Sequence, residues 1–454
     1  MGRRNETNRL AHKKKVDQKK NKASNADALR KEKLKQIQQQ FNQQNNNKSN
    51  MKILHTADWH LGKRLDGFSR FDEQIDVMNE IVEIADREKV DLILVAGDLF
   101  DAFNPAVEAV DLFYKTLKRL TNKAKRPVIA IAGNHDSPDR INAPDPLARE
   151  CGIVLIGYPN EKVNLFELDH FKIAQSTEGF IEINIKNIDF PIRIIHTAYA
   201  NEIRLKQYFG EEKEEKLNSV LKDQWTKLAD EFCDEKGVNL LLSHLYMNKR
   251  GASLLEEPDG EKPIKIGNAD MVYSDCIPPQ IQYTALGHLH AFNNIGTAEK
   301  PVVYSSSPLC YSFSEAGQTK YVAIINAQPN QDVNLTKINL TKGKALVRRT
   351  FQLVNDAINW LLINPDTLVE LTMETDTFLT TEERKAIFQA HSGIVHLIPK
   401  VKNSGSNEIS AKEINLNQDI KDLFKDYFKS KNAQQQPNDE LMDLFNEVLN
   451  NHEK

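Results

Sequence analysis

Five short motifs built from Asp, Asn and His constrain this chain more than any other feature, because each follows an apolar, β-branched run. Such runs are typical of buried strands. The carboxyl ends of strands are where ligands bind in open α/β sheets. The motif side chains are therefore expected to converge on one edge of one sheet. The predicted strands are 52–56, 92–96, 128–132, 240–242 and 281–286, and the motifs are 58–60, 97–101, 133–136, 243–244 and 287–290.

Strand and helix patterns alternate from Met51 onward, which predicts a layered α/β architecture. Apolar residues at helical spacing between the first two motif strands predict a helix that covers the sheet. Two more helices are predicted at 106–120 and 211–235. The pattern restarts near residue 343, where 346–401 reads as a small α+β unit. Its predicted helices are 355–362 and 381–391, and its predicted strands are 368–374 and 394–401.

The two ends of the chain differ from this body. Residues 1–50 hold 14 Lys and Arg against 4 Asp and Glu, so the rest carries 46 basic against 60 acidic residues. The basic segment has too few apolar residues to fold alone. A disordered extension is favoured over a DNA-binding arm. An acidic body does not bind a polyanion through bulk charge, so nucleic-acid contact would need metals and a local basic patch.

The segment 402–454 begins with a linker, 403–407, followed by two apolar stripes at helical spacing. The stripes predict amphipathic helices that dock in a groove of a partner or, alternatively, pack on this chain's own domains. The partner groove is favoured because the linker separates them from the rest. The stripes are Ile420, Leu423, Phe424, Tyr427 and Phe428, then Leu441, Leu444, Phe445, Val448 and Leu449.

Composition excludes several classes of protein. No apolar stretch approaches the roughly 20 residues that span a bilayer, so a membrane protein is not expected. The four cysteines are scattered and form no C-x-x-C pair, which argues against a disulfide framework and a zinc ribbon. A reducing cytoplasm is the expected location.

The motifs offer oxygen and imidazole ligands, which suit manganese, iron or zinc rather than a thiolate site. Two cations roughly 3.5 to 4 Å apart can hold and activate a phosphodiester. Such a pair needs a shared ligand, and Asp98 is the natural bridge. Asp58 and His60 would then bind one ion, and Asn134 and His244 the other. The imidazoles of His288 and His290 would reach both.

His135 neighbours the predicted ligand Asn134, but on an extended segment its side chain points elsewhere. It would contact the scissile phosphate or protonate the leaving oxygen. Asp101 could accept a hydrogen bond from His135 and favour its charged form. The remaining histidines lack such neighbours and are predicted to be packing or surface residues: His12, His55, His170, His196, His391, His396 and His452.

With these residues in hand, the chain from Met51 onward resembles the SbcD family of nucleases, within the calcineurin-like metallophosphoesterases. The resemblance rests on the motifs in context, at 52–62, 97–101, 132–140, 285–290 and 307–315. It implies a layered metallophosphoesterase β-sandwich flanked by helices over 51–345, a capping domain at 346–401 and partner-binding helices within 402–454.

The resemblance also implies site residues and activity. One metal would be held by Asp58, His60, Asp98 and His290, the other by Asp98, Asn134, His244 and His288, with His135 catalytic. The family uses two Mn²⁺, with Mg²⁺ or other divalent ions as substitutes. It acts as a 3′ to 5′ exonuclease on double-stranded DNA and as an endonuclease on single strands and hairpins. Its partner is the coiled-coil ATPase SbcC, and a homodimer would complete a heterotetramer.

The chain departs from the family's pattern at Ser306, where glycine is typical, and at Ala291-Phe292, where a basic residue is typical. Four basic residues near the motifs, Lys63, Arg64, Arg70 and Arg140, would grip DNA phosphates or simply lie in solvated loops. Two other functions stay open. One is a phosphodiesterase of nucleotides or other small phosphodiesters, and the other is a non-catalytic scaffold.

Overall fold

The computed structural model describes residues 50–210, 212–258 and 271–401, and beyond them residues 33, 420–431, 436–437, 441–442 and 445. Apart from residues 33 and 50, the predicted basic extension lies outside the described residues, and so does the linker at 403–407. So does most of the second amphipathic stripe. The first stripe forms the helix Ile420–Lys431 (α9). None of the helices in the described part of the chain has both the length and the apolar character of a bilayer span.

The first of two large sheets carries three of the motifs and has six strands. Four consecutive strands are parallel, and an antiparallel pair extends the sheet beyond the first of them. The parallel strands are Met51–Thr56 (β1), Leu92–Ala96 (β4), Val128–Ile131 (β5) and Ile153–Ile156 (β6), and the antiparallel pair is Tyr321–Ala327 (β17) and Asn334–Asn339 (β18).

The second sheet has eight strands and carries the other two motifs. Its centre is parallel, and antiparallel strands flank it on both sides. In spatial order the strands are Asn293–Asn294 (β15), Val302–Tyr304 (β16), Tyr283–Gly287 (β14), Val238–His244 (β11), Ile192–Thr197 (β10), Phe180–Ile185 (β9), Phe171–Thr177 (β8) and Phe166–Glu167 (β7).

The core lies between the sheets, and strand β11 illustrates why. Leu240 and Leu242 pack into the cluster shared with the six-stranded sheet, whereas Leu241 packs on the opposite side beside Trp225. Side chains alternate across a strand, so an all-apolar run is buried on both faces. The helices that complete the layers are Phe71–Arg87 (α1), Val107–Leu120 (α2), Pro138–Asn142 (α3), Asp145–Glu150 (α4), Glu202–Leu205 (α5) and Lys213–Phe232 (α6).

Two short strand pairs complete this part, Arg64–Leu65 (β2) with Phe68–Ser69 (β3), and Met247–Asn248 (β12) with Val272–Tyr273 (β13). The five motif strands and the three long helices are confirmed at close to their predicted bounds. The strands β6 to β10, which lie between the third and fourth motifs, were not predicted. The prediction that the ligands meet at one edge of one sheet is wrong, because β1, β4 and β5 belong to one sheet and β11 and β14 to the other.

Residues 345–401 form a small unit of three parallel strands joined by two helices. The connections are therefore helical crossovers, and the unit is α/β rather than the predicted α+β. A capping box between Thr380 and Glu383 starts its second helix. Leu346 and Leu368 of this unit pack against Leu65 and Phe313 of the sandwich. The elements are Ala345–Phe351 (β19), Val354–Ile363 (α7), Thr367–Thr375 (β20), Thr381–Ala390 (α8) and Ile394–Val401 (β21).

The histidines outside the motifs behave as packing or surface residues where they are described. His55 and His391 are buried and hydrogen-bonded. His396 forms ion pairs with Asp66 and Glu370. His196 is wholly buried, and neither ring nitrogen has a hydrogen-bond partner among the described residues. Burial lowers the pKa of His196 to about 3.

We expect this histidine to make the protein sensitive to acid. An unfolded histidine takes up a proton near pH 6.5, but the folded protein keeps His196 neutral until about pH 3. The contribution that neutral His196 makes to the free energy of unfolding is therefore present above pH 6.5 and is lost as the pH falls. The free energy of unfolding should decline less steeply with falling pH in His196→Leu than in the wild type, by up to about 1.4 kcal/mol per pH unit. Urea unfolding at pH 7, 6, 5 and 4 measures this, and parallel curves would contradict it.

Candidate dinuclear metal site

The backbone brings the two sheets' motifs together. The N–H of Asp58 donates to the carbonyl of Gly97, and the N–H of His60 donates to the carbonyl of Asp98, each at 3.0 Å. Across the sandwich, the N–H of His288 donates to Asp58 Oδ1 at 2.7 Å. Asp58, His60 and Asp98 adopt left-handed φ values of 53°, 43° and 47°, and His288 has a φ of 103°. Such strained backbone is characteristic of functional sites.

Asp98 lies at the centre of the site and is 1% exposed. Its Oδ2 is 3.6 Å from His60 Nε2 and 3.4 Å from His244 Nε2. Its Oδ1 accepts the N–H of His135 at 2.9 Å. One carboxylate oxygen thus faces imidazoles from both sheets, which is the geometry a bridging ligand requires.

The other predicted ligands lie on either side of Asp98. On one side, His60 Nε2 and His290 Nε2 approach to 3.0 Å, and Asp58 contributes a buried Oδ2 that has no hydrogen-bond partner among the described residues. On the other side, His244 Nε2 is 2.9 Å from Asn134 Oδ1. Atoms of Asp98, His244 and His288 also lie within 4.8 Å of one another.

These residues fit a pair of divalent cations. A buried carboxylate oxygen without a partner is costly, and a cation would remove that cost. Imidazole nitrogens converging on carboxylate and amide oxygens form a mixed N and O set, which suits manganese, iron or zinc. All seven predicted ligands are brought together here: Asp58, His60, Asp98, Asn134, His244, His288 and His290.

Three motif glycines make room for this cluster. A Cβ on Gly97 would overlap the ring of His244, a Cβ on Gly287 would overlap the carbonyl of Ala96 and that same ring, and a Cβ on Gly133 would overlap Asp98. Gly97 also has a φ of 86°, which favours glycine. Close approach to His244, Asp98 and the Ala96 carbonyl therefore requires glycine at these three motif positions.

The electrostatics of the chain keep Asp98 ionised. Burial alone would raise the pKa of Asp98, but the neighbouring imidazoles of His244, His60 and His135 hold it well below its ordinary range. Burial lowers the pKa of His244, yet Asp98 and Asp58 together raise it to about 9. Burial raises the pKa of Asp58 to about 7. A cation bound by His244 at neutral pH would displace the proton of that imidazole.

The structure corrects the predicted contact between His135 and Asp101. His135 Nδ1 lies 2.8 Å from the backbone carbonyl oxygen of Asp101. The Asp101 carboxylate instead faces Lys63, with Oδ1 3.2 Å from Nζ. A carbonyl oxygen only accepts, so Nδ1 carries the proton and the carbonyl, rather than the carboxylate, orients the ring.

The four basic residues predicted as DNA-phosphate contacts have different surroundings. Arg64 and Arg140 are exposed, and Lys63 is partly buried beside Asp101. Arg70 is only 1% exposed, and its guanidinium donates to Glu73 and to the carbonyl of Cys310. The prediction that Arg70 grips DNA is therefore wrong, because its donors are used inside the protein.

Sequence reasoning missed several residues that hold the loops and side chains of the site in place. Asp136 accepts the N–H groups of Leu99, Phe100 and Gly133 at 2.8 to 3.0 Å, which ties two motif loops together. Burial raises the pKa of Asp136 to about 6. Its place in the third motif is the only signal that could have found it.

Sequence reasoning also missed the hydrogen-bond partners of the second ring nitrogen of two of these histidines. His244 Nδ1 lies 2.8 Å from the carbonyl oxygen of Ala96, and His288 Nε2 lies 2.7 Å from Glu257 Oε1. Glu257 is 31 residues from His288 along the chain, and no sequence motif marked it. Because the Glu257 bond occupies Nε2, Nδ1 of His288 is the nitrogen left for a metal.

Comparison with known proteins agrees with this geometry. Residues 51–292 match the family model described as calcineurin-like phosphoesterase. The chain is 35% identical to SbcD of the nuclease SbcCD from Bacillus subtilis, over 89% of this chain and 99% of that protein. It is 30% identical to SbcD of the nuclease SbcCD from Staphylococcus epidermidis, over 64% of this chain and 70% of that protein.

Among solved structures, a dimetal phosphatase from Danio rerio has a TM-score of 0.34 at 12% identity, covering 64% of this chain and 99% of that chain. The family match and the two relatives define the class of protein, a divalent-metal phosphoesterase. The chain belongs to the calcineurin-like phosphoesterases and, within them, to the SbcD family of nucleases. It is a phosphodiester hydrolase.

A pair of glycine substitutions tests the crowding around Asp98. Gly133→Ala would place a methyl group against the Asp98 carboxylate without a change of φ class, so we expect loss of metal binding and of activity. Gly67→Ala is the matched control, because nothing lies within 4 Å of its added Cβ. Calorimetric titration with Mn²⁺ measures the effect. Equal affinities in the two variants would contradict the account.

Proposed function

We propose that this chain is a two-metal DNA nuclease that acts with an SbcC-type ATPase in DNA end processing, repair and recombination. The observation that carries the proposal is the Asp98 carboxylate, buried between His60 of one sheet and His244 of the other. The SbcD relatives support a nucleic-acid substrate. The exposed Arg64 and Arg140 and the partly buried Lys63 are the proposed phosphate contacts.

The residues divide the chemical work as follows. Asp58, His60, Asp98 and His290 would hold one cation, and Asp98, Asn134, His244 and His288 the other, with Mn²⁺ as the proposed ion. When bound, the pair supplies Lewis-acid activation of the phosphodiester and of the attacking water. His135, with Nδ1–H bonded to the Asp101 carbonyl, would donate a proton to the leaving oxygen from Nε2 when its ring is in the doubly protonated, imidazolium form.

We further propose that the small unit at 345–401 caps the DNA and that α9 docks on the partner's coiled coil. The small unit's packing through Leu346 and Leu368 on the sandwich supports a role close to the active site. The expected assembly is a homodimer of this chain with two ATPase subunits. The expected reactions are 3′ to 5′ digestion of duplex ends and endonucleolytic cleavage of single strands and hairpins.

The direct test is Mn²⁺-dependent digestion of duplex DNA labelled at one 3′ end, with and without an SbcC-type partner and ATP. Stepwise loss of the label is expected. Asp98→Ala should lower the rate by more than the roughly 10- to 100-fold that loss of an outer-shell partner costs. Asp111→Ala is the control, because that exposed carboxylate lies on α2 and pairs with Lys115 of the same helix. Hydrolysis of small phosphodiesters without DNA cleavage would favour the small-molecule alternative.

Metal binding can be tested without DNA. A ligand that binds the folded state alone raises the unfolding temperature as its concentration rises. We therefore expect Mn²⁺ to raise the unfolding temperature of the chelator-treated wild type, and to have little effect on Asp98→Ala. An equal rise in both proteins would show that the ions bind elsewhere and would contradict the assignment of Asp98.

A further inference from the structure

We propose that Glu315 is a positioning residue, a buried carboxylate that orients the imidazole of His290 toward the metal pair. This inference rests on the proposed function, which makes His290 a metal ligand. Glu315 lies 25 residues from His290 along the chain, on the short turn that follows β16. It would not touch the substrate or a metal.

The contact fixes which nitrogen of His290 can bind a cation. Glu315 Oε1 is 3.3 Å from His290 Nδ1, while His290 Nε2 lies 3.0 Å from His60 Nε2. An ionised carboxylate only accepts hydrogen bonds, so Nδ1 carries the ring proton. Nε2 therefore keeps its lone pair and faces the other ligands. Carboxylates in this position also raise the basicity of a metal-binding histidine.

Glu315 is itself held rigidly. It is 2% exposed, and Oε1 accepts the N–H groups of Tyr311 and Ser312, each at 3.0 Å. Oε2 accepts from Lys320 Nζ at 2.5 Å. Lys320 also donates to the carbonyl oxygen of His290 at 2.7 Å. The buried pair of Glu315 and Lys320 thus forms hydrogen bonds with both the ring and the backbone of His290. Because the two side chains carry opposite charges, the pair adds no net charge to the site.

The same turn supports the other histidine on this side of Asp98. The hydroxyl of Tyr311 donates to the carbonyl of Trp59, next to His60, at 2.5 Å. The Tyr311 ring stands 5.6 Å from the ring of His60 and 6.1 Å from that of His290. Residues 310–316 therefore contact both of the imidazoles that share one proposed cation, and within this segment Glu315 accepts a hydrogen bond from His290 Nδ1.

Calorimetric titration of the full chain with Mn²⁺ tests the proposal. We expect Glu315→Gln to weaken one of two binding events by about 10- to 100-fold and to leave the other near wild type. Glu80→Gln is the matched control. Glu80 is also a buried glutamate that accepts backbone N–H groups, from Thr341 and Lys342 at 2.9 to 3.0 Å. It should lower thermal stability but keep both affinities.

Wild-type affinity at both sites in folded Glu315→Gln would overturn the inference and leave the proposed function intact. A wild type that binds no Mn²⁺ would overturn both. A second measurement needs no folded variant at Glu315: ¹⁵N NMR of histidine-labelled wild type loaded with Zn²⁺, with His290 assigned by His290→Asn. A protonated Nδ1 and a metal-bound Nε2 are expected, and the opposite tautomer would overturn the proposal.

Discussion

The burial of one carboxylate, Asp98, between two β-sheets is the constraint on which the rest of the site depends. An ionised group with 1% exposure is stable only if opposite charge or hydrogen bonds replace its water. Imidazoles from both sheets surround it, and the N–H of His135 binds its other oxygen. The close approach of the loops leaves no room for a side chain at Gly97, Gly133 or Gly287.

The two sheets make different contributions to the site. The six-stranded sheet supplies the carboxylates, the amide and one imidazole, through Asp58, Asp98, Asn134 and His60, whereas the eight-stranded sheet supplies only imidazoles, those of His244, His288 and His290. A pair of cations between them would join the sheets at the open end of the sandwich. Each of the three imidazoles is also held at its other nitrogen, by a carbonyl or a carboxylate oxygen. The ligands are thus oriented by the protein itself.

Much of this could be predicted from the sequence, because local patterns determine local structure. The apolar runs before the motifs identified five strands, and the structure brings together the seven motif residues that the sequence proposed as metal ligands. A motif does not reveal which sheet its strand joins, so the division between two sheets could not be predicted. Burial of Arg70 depends on Cys310, a neighbour 240 residues away. The roles of Glu257 and Glu315 likewise depend on contacts that only the fold creates.

The assignment of roles within the motifs was limited by backbone geometry. The pairing of His135 with the carbonyl of Asp101, rather than with its carboxylate, cannot be read from residue types. The central claim, that Asp98 bridges two cations, is tested most directly by an anomalous difference map from crystals soaked in Mn²⁺. The account predicts two peaks roughly 3.5 to 4 Å apart, one on each side of the Asp98 carboxylate. A single peak, or peaks that do not contact Asp98, would contradict it.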